Sequence, residues 1–147
     1  MELKIKRLHR NAVIPRYATP GSACFDLHSI NEEDKMVREN VPLVFNTGLA
    51  FEIPKDHVML VFSRSGHGFN SNVRLANCVG VIDSDYRGEV KVKLTNDPSP
   101  AWGQGLMIRQ YGRVAQAMVI PVAQVEFVLC DELSTTERFG GLGSTGA

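Results

Sequence analysis

Residues 80–89, Gly-Val-Ile-Asp-Ser-Asp-Tyr-Arg-Gly-Glu, decide the fold that this sequence predicts. They place two aspartates and a tyrosine between two apolar runs, residues 74–79 and residues 90–94. In the second run valine and leucine alternate with lysine, which is the period of a half-buried strand. Two strands joined by a polar turn with glycine at its edge predict a β-hairpin. Its backbone donors and acceptors could bind a small planar ligand, with Asp83 and Tyr86 beside it.

The segments on either side of this hairpin also have the character of short strands. Residues 41–64 contain apolar runs divided by turn residues roughly every ten positions, the pattern of an all-β sandwich or barrel. Strands are further predicted at residues 2–8 and 106–108. Residues 114–128 are long enough for two strands divided at Pro121. Because no stretch has sustained helical spacing of apolar residues, we expect little helix.

Two segments are predicted to lie outside the strands. Residues 10–22 carry two prolines and a glycine, which predicts an extended loop. Residues 31–40 form the most charged stretch of the chain, without an apolar stripe. We expect these ten residues to form a solvated loop or an edge.

Length, charge and cysteine content exclude several functional classes. The chain has 147 residues, which fits one domain with its own core. Its 16 basic and 16 acidic residues balance, so no overall field attracts nucleic acid or an anionic membrane. No run reaches the ~18 apolar residues of a membrane span. The three cysteines and four histidines lack ligand spacing, which indicates buried thiols in a reducing cytoplasm and no zinc site.

Two glycine-rich stretches have the composition of anion-binding loops. Residues 62–68 follow an apolar strand with an arginine, two serines and two glycines, and residues 138–145 repeat this mixture. Backbone N–H groups in such loops bind phosphate oxygens, although an ordinary Gly-Ser turn has the same composition. Asp26 could support a Mg²⁺ ion that accompanies phosphates, or could cap a turn. No Walker sequence is present.

Five short stretches, in this order, together resemble the dUTPases, the trimeric dUTP diphosphatases. They are residues 20–27, 63–66, 80–88, 112–116 and 138–146. The third and fifth are individually specific. The resemblance extends over most of the chain.

This resemblance implies a jelly-roll-like β subunit that forms a homotrimer. Residues 1–133 would form the β domain, and residues 134–147 a flexible glycine-rich arm that closes over the active site of a neighbouring subunit. Each site would be built from three chains, bind Mg²⁺ and hydrolyse dUTP to dUMP and pyrophosphate. Such an activity keeps uracil out of DNA and supplies dUMP for thymidylate synthesis.

The resemblance also implies roles for individual residues. Asp83 would be the catalytic base that activates the water attacking the α-phosphorus. Tyr86 would pack against the deoxyribose, and Asp26 would bind the metal through water. The remaining substrate-binding residues would be Arg64, Ser65, Gly66, Asn77, Gly80, Val81, Ile82, Lys91, Gln116, Arg138, Leu142 and Gly143.

Three departures from the family pattern accompany the resemblance. Ser63 stands where proline is usual, and Cys24 where glycine is common. The tail is one residue shorter than the family pattern and has Leu142 where an aromatic ring usually stacks on uracil. Loss of that stacking would cost ~1 kcal/mol, mainly in affinity.

Two alternative functions are consistent with the same scaffold. The related dCTP deaminases share the fold, but their chains are longer and use a glutamate to activate water on the base, where this chain has Asp83 and Asp85. A non-catalytic nucleotide-sensing or protein-binding trimer is suggested by the altered tail.

Overall fold

The computed structural model describes residues 1–98 and 105–137. Within these residues the chain forms eleven strands and one helix. The strands are β1 Lys4–Arg7, β2 Phe25–His28, β3 Lys35–Val37, β4 Leu43–Asn46, β5 Leu49–Glu52, β6 His57–Phe62, β7 Val73–Leu75, β8 Val79–Ile82, β9 Lys91–Asn96, β10 Leu106–Ile108 and β11 Arg113–Pro121. The helix is α1, Ser65–Ser71. The predicted all-β class is therefore confirmed.

The strands form two larger sheets and two strand pairs. The four-stranded sheet has the order β2-β11-β6-β8, and the three-stranded sheet has the order β4-β9-β7. The remaining pairs are β1 with β5 and β3 with β10. All these pairings are antiparallel. The long strand β11 lies between β2 and β6, and this arrangement positions the candidate site.

The hydrophobic core draws side chains from both larger sheets. Leu27 and Met59 come from the four-stranded sheet, and Phe45 and Leu94 from the three-stranded sheet; all four are at most 1 % exposed. Burial of a side chain of this size contributes about 1.5–3 kcal/mol to folding. In β9 buried valine and leucine alternate with exposed lysine, as the sequence pattern predicted.

The predicted hairpin is confirmed only in its first part: residues 74 and 75 pair with residues 94 and 95 as predicted, but residues 79–82 do not continue this pairing. β8 pairs with β6, whereas β9 pairs with β7 and β4. The chain turns away from β9 at Cys78, which adopts a left-handed conformation with φ 62°. Gly80 then packs against β6, where an added Cβ would lie 3.1 Å from Val61 Cβ. The two strands that flank Asp83 therefore belong to different sheets.

One further expectation needs correction, and the expectation of a solvated loop or an edge at residues 31–40 is confirmed except for one buried residue. Residues 114–128 form one strand and not two, because β11 ends at Pro121 and residues 122–137 are exposed without strand structure. Proline has no N–H to donate to a ladder. The charged stretch 31–40 contains β3, whose Val37 is fully buried. None of the described helices has the length and apolar character needed to cross a membrane.

Candidate active site

A groove forms where β2, β11 and β6 lie side by side. Asp26 of β2 and Phe62 of β6 are both register partners of Gln116 in β11. Gln116 Nε2 donates a hydrogen bond of 3.0 Å to the Ser63 carbonyl, just after β6 ends. The groove has a volume of about 420 Å³. Its lining residues include Ser22, Cys24, Asp26, Arg64, Ser65, Arg113 and Gln116.

Two arginines meet on one carboxylate in this groove. Arg64 Nε donates to Asp26 Oδ1 at 3.1 Å, and Arg113 Nη1 donates to Asp26 Oδ2 at 3.3 Å. The side chains of Asp26 and Arg64 are about four-fifths buried, whereas that of Arg113 is 51 % exposed. Each guanidinium has five N–H donors, so most of the donors remain for a ligand. Two positive charges against one negative charge favour an anion.

Arg64 also contacts a buried histidine, His67. Its Nε2 lies 2.9 Å from Arg64 Nη1, and the side chain is 8 % exposed. Burial, then the positive charges of Arg64 and Arg113, lower the pKa of His67 to about 4. At neutral pH the imidazole is therefore uncharged, and Nε2 accepts the hydrogen bond because the guanidinium can only donate. Nδ1 then carries the proton and has no partner among the described residues.

The predicted anion-binding loop at residues 62–68 is mostly helical. α1 begins at Ser65, and the N–H groups of His67 and Gly68 donate to the Arg64 carbonyl. The helix ends at Asn72, whose φ of 54° is left-handed. The seven residues of α1 bury His67 and leave Ser65 and Gly66 exposed. The loop prediction is therefore wrong for Ser65 and Gly66, although both are exposed and Ser65 lines the groove.

The Asp83 segment forms a tight turn. Tyr86 N–H donates to the Asp83 carbonyl at 3.2 Å. The Tyr86 hydroxyl donates to the Glu89 carbonyl at 3.1 Å, and the ring lies so close to Gly88 that an added Cβ would be 2.6 Å from Tyr86 Cζ. Asp83 is exposed, and no described residue contacts its carboxylate through a hydrogen bond or an ion pair. The turn thus presents a free carboxylate beside an oriented ring.

Asp83 and Arg64 lie far apart within one chain. Met59 of β6 pairs with Ile82 of β8 in an antiparallel ladder. Asp83 is therefore level with the residue before Met59, whereas Arg64 lies five residues after Met59. Six residues at ~3.3 Å each place the two Cα positions roughly 20 Å apart along the strand direction.

The structure brings together some of the predicted base-binding residues. Asn77 lies beside Gly80, since Asn77 Nδ2 would be 3.8 Å from a Cβ at Gly80. Val81 and Ile82 continue the same strand. Lys91 instead begins β9, where it pairs with Asn46 of β4 and lies 3.9 Å from Glu89.

Sequence reasoning missed two residues of the groove. Arg113 lies within residues 112–116, but no role was predicted for it, and none was predicted for His67. The alternation in β11 gave a weak signal for Arg113, but no pattern in the sequence indicated a buried His67. Arg138, Leu142 and Gly143 lie outside the described residues, so their predicted roles stay predictions.

Comparison with known proteins identifies the family. The family model described as dUTPase matches residues 10–146. A relative named deoxyuridine 5'-triphosphate nucleotidohydrolase, from Nautilia profundicola, is 46% identical over 147 residues, which is 99% of this chain and 99% of that protein.

Two solved structures share the fold. A dUTPase variant of Staphylococcus bacteriophage 80alpha, solved with dUpNHpp, has a TM-score of 0.86 at 24% identity and covers 99% of both chains. A dUTPase variant of a Staphylococcus aureus phage, phi11, has a TM-score of 0.76 at 23% identity and covers 90% of this chain and 98% of that chain. The phi11 structure reveals the coordination of a structural Mg(II) ion. The sequence match and the shared fold show that the chain belongs to the dUTPase family.

Proposed function

We propose that this protein is a dUTP diphosphatase, which converts dUTP and water to dUMP and pyrophosphate. The observation that carries the proposal is the groove in which Arg64 and Arg113 both contact Asp26. The name of the Nautilia profundicola relative gives the same substrate. A triphosphate chain supplies the negative charge that this groove lacks.

The groove residues would bind the phosphates directly. Arg64 and Arg113 have free N–H donors. Gln116 lines the groove and is fixed by its hydrogen bond to the Ser63 carbonyl. Ser65 and Gly66 lie at the edge, where their hydroxyl and backbone N–H groups would reach phosphate oxygens. Stabilisation of the developing charge on pyrophosphate by fixed donors is the main catalytic contribution expected in phosphoryl chemistry.

Asp26 is the residue that would bind Mg²⁺. It is the one carboxylate among the described residues that line the groove, and no described cluster of three or more His, Cys, Asp or Glu could hold a metal alone. Mg²⁺ is usually bound by one or two carboxylates together with substrate phosphates and waters. The residues therefore fit an ion that arrives with the nucleotide and contacts Asp26 through water. When bound, Mg²⁺ would neutralise phosphate charge.

Asp83 would act as the general base. Its carboxylate has no described partner, so it can accept a proton from a water molecule at hydrogen-bond distance. The water oxygen forms a bond to the α-phosphorus, and the bond from the α-phosphorus to the bridging oxygen breaks. The electron pair leaves with pyrophosphate.

The turn around Asp83 would provide base and sugar specificity. Tyr86 is fixed by its hydrogen bond to the Glu89 carbonyl and by contact with Gly88, so its ring could exclude a ribose 2′-hydroxyl. Asn77 and the backbone of residues 80–82 would bind the uracil edge, with main chain near Lys91 completing the pocket. The 4-amino group of cytosine would face a donor, and the 5-methyl group of thymine would not fit.

We further propose that the site is shared between subunits of a homotrimer. The separation of roughly 20 Å between Asp83 and Arg64 is too long for both to reach one α-phosphorus. A second chain would therefore supply the groove. Residues 134–147 would form the arm over the site, with Arg138 at the γ-phosphate and Leu142 and Gly143 near the base. The predicted burial of the thiols is wrong, because Cys24 is half-buried and Cys78 and Cys130 are exposed. All three are free, which supports a cytoplasmic location.

The proposal is tested by substrate specificity with Mg²⁺ present. Purified protein should release pyrophosphate from dUTP far faster than from dCTP, dTTP or UTP. Incubation with dCTP alone, followed by chromatography for dUTP, tests the deaminase alternative. Conversion of dCTP to dUTP, or binding of dUTP without pyrophosphate release, would contradict the proposed activity.

A further inference from the structure

A second cavity, here called the basic cavity, adjoins the phosphate groove. It has a volume of about 670 Å³, which is within the range of small-ligand sites. Its polar and charged lining residues are Arg7, Arg16, Tyr17, Asp26, His28 and Arg113. The cavity lies between the start of the chain, the loop before β2, and β11.

The charges in the basic cavity do not balance. Asp26 is its one acidic residue among the described lining, and both of its oxygens already contact arginines. The side chains of Arg7 and Arg16 are exposed and have no hydrogen-bond or ion-pair partner in the described part of the chain. Like charges near one another are unfavourable unless an anion compensates them. The excess of positive charge in the basic cavity therefore favours a ligand with several negative charges.

A third guanidinium supports this assignment. Arg113 uses one of its donors on Asp26 and is half exposed. Arg113 and Asp26 line both the groove and the basic cavity, so an anion can pass from one to the other along the same side chains.

We infer that the basic cavity binds a phosphate group through Arg7 and Arg16, at a position beyond the phosphates held by Arg64. This inference rests on the proposed function. The phosphate group would come either from the end of the triphosphate chain, where Arg7 and Arg16 would add to the contact proposed for Arg138, or from the pyrophosphate product as it leaves. Both ligands present the same oxygens to the two guanidinium groups.

The test is a double variant, Arg7→Gln with Arg16→Gln, compared with Arg10→Gln. Arg10 is a matched control because it is exposed and lies outside the cavity lining. Pyrophosphate is titrated by calorimetry without divalent cations and at fixed ionic strength, KM is measured for dUTP, and the dissociation constant of dUDP is measured by calorimetry. Circular dichroism and size-exclusion chromatography check folding and assembly. The single variant Arg16→Gln, in a loop, replaces the double variant if the latter aggregates.

We expect the double variant to lose about tenfold or more in phosphate affinity, with the control within about twofold of the original protein. A higher KM for dUTP with an unchanged dissociation constant for dUDP would identify the terminal phosphate as the ligand. Weaker binding of pyrophosphate alone would identify the product. Unchanged pyrophosphate affinity and unchanged KM for dUTP would overturn the inference. Because the calorimetry needs no turnover, failure of the proposed function is detected separately, as absence of pyrophosphate release by the original protein.

Discussion

Replacement of His67 by leucine should make the stability of the protein less sensitive to acid. His67 is buried behind the groove, and the charged groups near it are Arg64, Arg113 and Asp26. Leucine has a similar volume and no titratable group, so it fills the same space in α1. The change removes the imidazole that must stay neutral in the folded protein.

The size of the effect follows from the pKa of His67. Its pKa is about 4 in the folded protein against 6.5 as the ordinary value. Between these values the unfolded chain binds the proton and the folded chain does not, so the free energy of unfolding falls as pH falls from 6.5 towards 4. At ~1.4 kcal/mol per unit of pKa, the loss amounts to roughly 3 kcal/mol at most. Below about pH 4 this contribution stays constant.

The assay is urea unfolding at pH 7.5, 5.5 and 4.5, at one protein concentration and one ionic strength. Carboxylates titrate in both proteins, so the difference between the pH dependences isolates His67. The original protein should lose roughly 2–3 kcal/mol more stability than His67→Leu between pH 7.5 and 4.5. Equal losses of stability in the two proteins would show that His67 is not a buried, neutral imidazole in the folded protein.

Three further changes test individual parts of the site. Asp83→Asn should bind dUTP with near-normal affinity, measured by calorimetry, while pyrophosphate release falls about 10²- to 10⁴-fold; a near-normal rate would remove Asp83 as the base. Gly88→Ala should displace the Tyr86 ring, because the added Cβ would lie 2.6 Å from Cζ. The ratio of kcat/KM for UTP to that for dUTP should then rise about tenfold, and an unchanged ratio would show that Tyr86 does not select the sugar. Deletion of residues 138–147 should leave the assembly intact by size-exclusion chromatography but remove most turnover; dissociation to monomer would contradict the role of the arm as a lid.

The sequence predicted local features better than strand partners. Alternation in β9 placed lysines outward and valine and leucine inward, because local spacing alone determines which side of a strand is buried. The pairing of β8 with β6 was missed, since residues 80–89 fit a simple hairpin equally well in sequence. The choice depends on the close contact of Gly80 with Val61 and on the left-handed turn at Cys78, which are tertiary features.

The sequence predicted which residues form the candidate site, but it predicted their arrangement only in part. Asp26, Arg64 and Gln116 were identified through the family resemblance, and the structure places them around one groove. His67 could not be identified, because burial of a histidine depends on the helix that begins at Ser65. The separation of Asp83 from Arg64 could not be predicted from the sequence either, because it follows from the register of β6 and β8.

The central claim, that Asp83 and Arg64 act together from different chains, can be tested by mixing two inactive variants. Asp83→Asn and Arg64→Gln proteins are unfolded, combined in equal amounts and refolded, with each variant refolded alone as a control. Random assembly should place an intact Asp83 opposite an intact Arg64 at about one quarter of the sites. Pyrophosphate release from dUTP should therefore recover to about a quarter of the refolded original protein. If both residues act within one chain, the mixture will be no more active than the separate variants, and the shared site will be excluded.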